Sequence, residues 1–221
     1  MFCPFLPDEL HELPGVISAP RFATYLQHMA QDQRRALELY RWNLEISAAL
    51  LIPLHRVEVA LRNAVSDAIT AVHGANWPWN AGFTISLPSG GVRAYSPKAD
   101  LARCAATQPT TGQVIAELKF AFWEKMLTKR HDARLGAREF GRAFPNAPTG
   151  QAVTTSRSAL RADVEAIRGL RNRIAHHEPI FARPLADDLA TIMRSIAWRS
   201  RTAADWVRSI ETVTSLIAVR P

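Results

Sequence analysis

Between Asp32 and Val72, apolar residues recur three, four or seven positions apart: Leu37, Tyr40, Leu44, Ala48, Leu51, Leu54, Leu61, Val65 and Val72. That period lays them along one stripe of an α-helix and does not fit a strand, whose faces alternate every second residue. A helix this long commits the remaining chain to pack around it. Asp32 is placed to cap its start and Gly74 to end it. Pro53 falls inside the stripe. It is expected to kink or break the helix, because proline removes a backbone hydrogen bond and clashes with the preceding turn.

The same period predicts further helices over about 98–106, 111–127, 154–177, 185–198 and 203–218. Val114, Leu118, Ala121, Phe122 and Met126 form one buried side, and Leu160, Val164, Ile167, Leu170 and Ile174 another. Ser18-Ala19-Pro20 reads as a helix start, since proline is tolerated in a first turn. The proline-rich residues 1–19 read as an irregular arm, and 20–221 as a single helical domain. Residues 128–150 read as a connection with one helical turn. Residues 74–97 hold Trp77-Pro78-Trp79-Asn80 and Pro88-Ser89-Gly90-Gly91, which is loop chemistry. The alternation in Phe83-Thr84-Ile85-Ser86-Leu87 fits a short strand there. The predicted class is an all-α helical bundle with an irregular loop or short β insertion around 74–97. Trp42, Trp123 and Trp206 sit among apolar neighbours and are expected in the core; packing is also the simpler role for Trp77 and Trp79, with base stacking the other.

Charge narrows the partners. The 221 residues carry 27 basic and 20 acidic side chains, a formal net charge of +7, and 23 of the basic residues are arginine. Arginine suits planar, bidentate contact with phosphate, so a nucleic acid leads the candidate polyanions. Genome base bias also yields an Arg- and Ala-rich chain. The two cysteines, Cys3 and Cys104, form no CxxC pair, which argues against a zinc site or disulfide framework. No apolar run approaches the ~18 residues of a membrane span, and the first residues lack the basic and apolar regions of a signal peptide. A cytoplasmic protein without membrane attachment is expected.

The densest polar cluster is Arg171-Asn172-Arg173-Ile174-Ala175-His176-His177-Glu178, followed by Pro179. A histidine moves protons near neutral pH, and an arginine stabilises negative charge on a phosphate. Those two groups suffice for RNA cleavage in which the ribose 2′-hydroxyl attacks the adjacent phosphate. Arg171 and His176 are five residues apart, about 140° around an ideal helix, and so do not share a face. Asn172 and His176 do. Either the helix unwinds before His176, or two chains assemble the site. His177, Arg173 and Glu178 are supporting candidates, and Arg168 is a phosphate contact or a solvated charge. Adjacent histidines rarely chelate one ion from a helix, so neither metal nor cofactor is expected. Glu58 sits on the apolar stripe of the long helix and needs a partner: Arg62, four residues on, or else Arg171 or His176.

Arg171-Asn172 followed by His176 resembles the R-x4-6-H motif of HEPN-superfamily ribonucleases. Its RNRIAHHEP context is similar to the Abi-like, abortive-infection branch. Leu39-Tyr40-Arg41-Trp42-Asn43 and Val57-Glu58-Val59-Ala60-Leu61-Arg62-Asn63 resemble that family's early helix, and Leu118-Lys119-Phe120-Ala121-Phe122-Trp123 its middle helix. The resemblance implies an all-α HEPN-like bundle and a homodimer that brings two motifs together. It implies RNA as substrate and metal-independent endoribonuclease chemistry, with Arg171 and His176 as catalytic pair and Asn172 in support. It further implies a role in phage defence or as a toxin, with an antitoxin or regulatory RNA as a further partner. A non-catalytic RNA-binding module, or a helical interaction protein whose polar cluster is structural, shares parts of this pattern.

Overall fold

The computed structural model describes residues 5–91, 94–132 and 136–221, and among them the chain is all-α, a helical bundle without a strand. The helices are α1 (Pro7–Ile17), α2 (Ala19–His28), α3 (Gln33–His73), α4 (Ala81–Ser86), α5 (Pro97–Thr107), α6 (Thr111–Glu117), α7 (Phe120–Met126), α8 (Ala137–Ala143), α9 (Val153–Ala175), α10 (Leu185–Arg199), α11 (Arg201–Ile210) and α12 (Val213–Ala218). Single 3-10 turns cover Trp77–Trp79 and Lys129–His131.

The 41-residue α3 is the spine. Asp32 caps it, accepting from the Arg35 backbone N–H at 3.0 Å, and Gly74 ends it at φ +84°. It runs through Pro53 without the break that is one of the two outcomes expected there. A lone proline costs a helix about 3 kcal/mol. Here α2, α7, α8, α10 and α12 pack along both halves of α3, and Pro53 itself is buried, so burial on both sides of the proline offsets that cost.

The buried face of α3 is not the stripe expected. Leu37, Leu54, Leu61 and Val65 are buried, but Leu44, Leu51 and Val72 are exposed, and Leu39, Trp42, Ile46, Leu50, Val57 and Ile69 face the core instead. A strict seven-residue repeat drifts about 20° per heptad around a straight helix, so a stripe drawn over forty residues leaves the core face.

Five other expectations are corrected. Over residues 7–17 the N-terminal arm is not irregular but forms α1, its first four residues lying outside the described ones: Pro7 starts the helix, and the Glu9 carboxylate accepts the Leu6 N–H at 2.8 Å. Pro14 frees the Leu10 carbonyl, which Gln33 Nε2 takes up from α3. Phe83–Leu87 is not a strand. Asn80 caps α4, accepting the Phe83 N–H at 3.0 Å while donating to His73 O at 3.2 Å, and turns this segment into a helix. The helix expected over 111–127 is two, α6 and α7, broken at the extended Leu118 and Lys119. The helix expected over 203–218 is also two, α11 and α12, broken where Glu211 takes the Thr214 N–H at 3.0 Å. Trp42, Trp77 and Trp123 are buried, but Trp206 is 53% exposed and stacks under Arg56.

α9 buries Leu160, Val164, Ile167 and Leu170 against α3, α7, α8 and α10, which fixes the direction in which its C-terminal end leaves the core.

Candidate functional site

The motif lies where α9 ends. Its last turn closes as a Schellman motif: the His177 N–H bonds the Ile174 carbonyl at 3.0 Å, and the Glu178 N–H bonds the Arg173 carbonyl at 2.8 Å. This closure needs a left-handed residue, and His177 takes it at φ +56°. Glycine is the usual occupant, because a side chain there costs roughly 1–2 kcal/mol. Pro179 follows, as it commonly does after such a cap. The Arg173 side chain braces the turn, donating to the Pro179 carbonyl at 2.6 Å and pairing with Glu178 at 3.3 Å.

The helix does not unwind before His176. The His176 N–H still bonds the Asn172 carbonyl at 2.9 Å, and the chain departs only afterwards. Arg171 and His176 therefore stay on different faces of one helix. Both are exposed, and Asn172 is half-buried between them. Neither the His176 nor the His177 imidazole has a hydrogen-bond partner among the described residues, so both ring edges stay open to a ligand.

Glu58 chooses Arg171 over Arg62. Its carboxylate oxygen lies 3.9 Å from Arg171 Nε, while Arg62 has no ion pair among the described residues. At that distance, with the arginine side chain 47% exposed, the contact orients the guanidinium without locking it. Arg168 is neither a free phosphate contact nor a solvated charge. Its Nε donates to Glu124 at 2.6 Å, and Glu124 is buried, so this pair pins α9 to α7 one turn before Arg171.

Asn43 on α3 is the site residue that sequence reasoning passed over. It is 4% exposed, and its Oδ1 accepts the backbone N–H groups of Ile180 at 2.8 Å and Phe181 at 3.1 Å. One buried carboxamide thus anchors the segment leaving the motif to the spine. The partners lie 137 and 138 residues away, and no local pattern signals them.

No three His, Cys, Asp or Glu side chains are grouped to hold a metal ion among the described residues, and no helix there is long and apolar enough to cross a membrane. No family model, curated protein or solved structure matches this chain.

Proposed function

We propose that this protein is a metal-independent endoribonuclease of the HEPN, Abi-like type, working as a homodimer in phage defence or as a toxin. The observation that carries the reading is the end of α9, where Arg171 and His176 are exposed, unlocked and anchored from behind by Glu124–Arg168 and Asn43. Structural arginines are usually satisfied, as Arg168 is; Arg171 holds only a distant carboxylate.

Chemistry needs both groups at one phosphate, and a single α9 turns them about 140° apart. A two-fold contact between copies removes the conflict. Leu51 and Ile52 are 53% and 42% exposed and form an apolar line in which Leu51 lies one heptad before Glu58, which touches Arg171. This apolar line leads to the motif and supports a contact there. One His176 takes the proton of the 2′-hydroxyl as its oxygen attacks phosphorus. The bond to the 5′-oxygen breaks, and the His176 of the second copy returns a proton to it. Arg171 stabilises the charge on the phosphate oxygens. The products are a 2′,3′-cyclic phosphate and a 5′-hydroxyl. Asn172, His177, Arg173 and Glu178 shape the turn that presents these groups.

The test is cleavage of a cellular RNA pool in EDTA by wild type and His176→Ala at matched fold and dimer content. Cutting by wild type alone supports the reading. Binding without cutting by either favours a non-catalytic module that sequesters or scaffolds RNA.

A further inference from the structure

Behind the motif, α2, α3 and the turn after α9 enclose a polar cleft of about 120 Å³. Its walls include Arg21, Tyr25, Tyr40, Asn43, His177 and Glu178, with Leu44 at the mouth. Asn43 is the informative residue. Two backbone N–H groups fix which end of its carboxamide is oxygen. The Nδ2 group, with two hydrogens, has no protein partner among the described residues. A residue 4% exposed that lines a cleft and keeps its donors unspent offers them to whatever enters.

We propose that this cleft is a nucleobase subsite, and that Asn43 is its hydrogen-bond donor, meeting an acceptor on the edge of the base. The proposal rests on the RNA reading of the motif for its natural ligand. The size suits one ring system: at ~30 Å³ per water, the cleft has room for only a few molecules of solvent. Its chemistry suits a neutral one. Glu178 in the wall is already paired with Arg173 at 3.3 Å, so a ligand there need not supply its counter-charge. Tyr40, half-buried, brings an aromatic ring against which a base can lie, held edge to face at 5.2 Å by the buried Tyr25. The Tyr25 hydroxyl adds a neutral donor to the lining. Arg21 is exposed and meets the attached phosphate outside. His177 joins the two sites, lining the cleft while its neighbour His176 belongs to the motif.

The experiment is saturation-transfer NMR on the whole protein with the 3′-monophosphates of uridine, cytidine, guanosine and adenosine, on wild type, Leu44→Trp and Asn43→Asp. Leu44→Trp fills the mouth and leaves the buried contacts alone. Asn43→Asp keeps the oxygen that holds Ile180 and Phe181 and removes the donor. Wild type is expected to bind these nucleotides saturably, and Leu44→Trp to weaken all of them roughly tenfold. Asn43→Asp, which trades the donor for a carboxylate, is expected to weaken the uridine nucleotide, with two carbonyls on its edge, more than the adenosine nucleotide, whose amino group the carboxylate can accept. If Asn43→Asp does not fold, Leu44→Trp decides alone. No saturable binding by wild type, or equal binding by wild type and Leu44→Trp, overturns the proposal. The two readings fail separately. Binding lost in Leu44→Trp while wild type leaves RNA uncut keeps the subsite and removes the ribonuclease. RNA cut at bases of every kind, with nucleotide binding untouched by Leu44→Trp, does the reverse.

Discussion

Asp100 is buried on α5, and three donors converge on its carboxylate: Tyr95 Oη at 2.6 Å, Arg103 at 3.0 Å and the Lys119 N–H at 3.2 Å. At the end of α9, Arg171 meets a single carboxylate oxygen at 3.9 Å, and two imidazoles have no partner among the described residues. Both clusters are built from arginine, carboxylate and a ring with a polar atom. In the first the carboxylate is buried and saturated, so its polar atoms hold the loop before α5 and the break between α6 and α7. The second is exposed and half-satisfied, a poor return for stability and a good one for a ligand. Unspent hydrogen-bonding capacity, more than residue type, separates the structural cluster from the candidate site.

The largest expected effect breaks the saturated cluster. Asp100→Ala strands a phenol and a backbone N–H, while Arg103 keeps Glu117 at 3.1 Å, and should cost about 3 kcal/mol of unfolding free energy in denaturant titration. A loss under 1 kcal/mol would show that the cluster is not structural. RNA cleavage per folded molecule should stay at the wild-type level.

At the other cluster the pattern should invert. His176→Ala should reduce cleavage at least about 100-fold with the melting temperature unchanged, because the imidazole has no partner among the described residues to lose. An unaltered rate would remove His176 from the chemistry.

The phenols sharpen the contrast through pH. Burial raises both Tyr25 and Tyr95, and for Tyr95 the bond to Asp100 raises it further. A group that holds its proton more tightly when folded contributes fully below its ordinary pKa, and that contribution is lost as pH climbs through the folded value. For Tyr25 the window is from 10.0 to about 12. Stability should therefore fall steeply there, by up to about 2 kcal/mol from Tyr25. Tyr25→Phe should flatten part of that slope when urea midpoints are compared at several pH values; an identical slope would exclude Tyr25 as the source.

Glu58→Gln is a smaller perturbation. It keeps the shape and removes the charge facing Arg171, so cleavage should fall a few-fold, about 1 kcal/mol, with stability nearly constant. Unchanged cleavage alongside an unchanged melting temperature would leave Glu58 without either role.

How legible these clusters were depends on how local their determinants are. Asp32, Gly74 and the apolar run from Leu160 to Leu170 act within a turn or two of themselves, and each does what its position in the chain indicates. The polar run from Arg171 to Glu178 was visible for the same reason. The break at Lys119 is tied by Asp100, 19 residues back, and the segment after the motif by Asn43, from across the fold. Neither leaves a periodic trace. Asn80 and Glu9 were local signals, yet a proline-rich arm and an alternating pentad hid them. Leu44 and Leu51 matched the helical period and still face out, because period alone does not fix which face a long helix buries.

The smallest expected effect lies at His177, where the two demands on the second cluster oppose each other. Its left-handed backbone at φ +56° is strained for any residue with a Cβ. Glycine relieves that strain without touching the backbone bonds to the Ile174 and Arg173 carbonyls that close the turn. His177→Gly should therefore stabilise the protein by about 1 kcal/mol, raising the melting temperature by roughly 2–4 °C. The imidazole it removes lines the cleft beside the motif. Cleavage, or nucleotide affinity, should fall several-fold in the same variant. A protein made more stable and less active by one substitution would show that histidine is kept at this turn for its ring. A variant that gained stability and lost nothing would reduce His177 to a tolerated cap, and confine the working groups of this turn to Arg171 and His176.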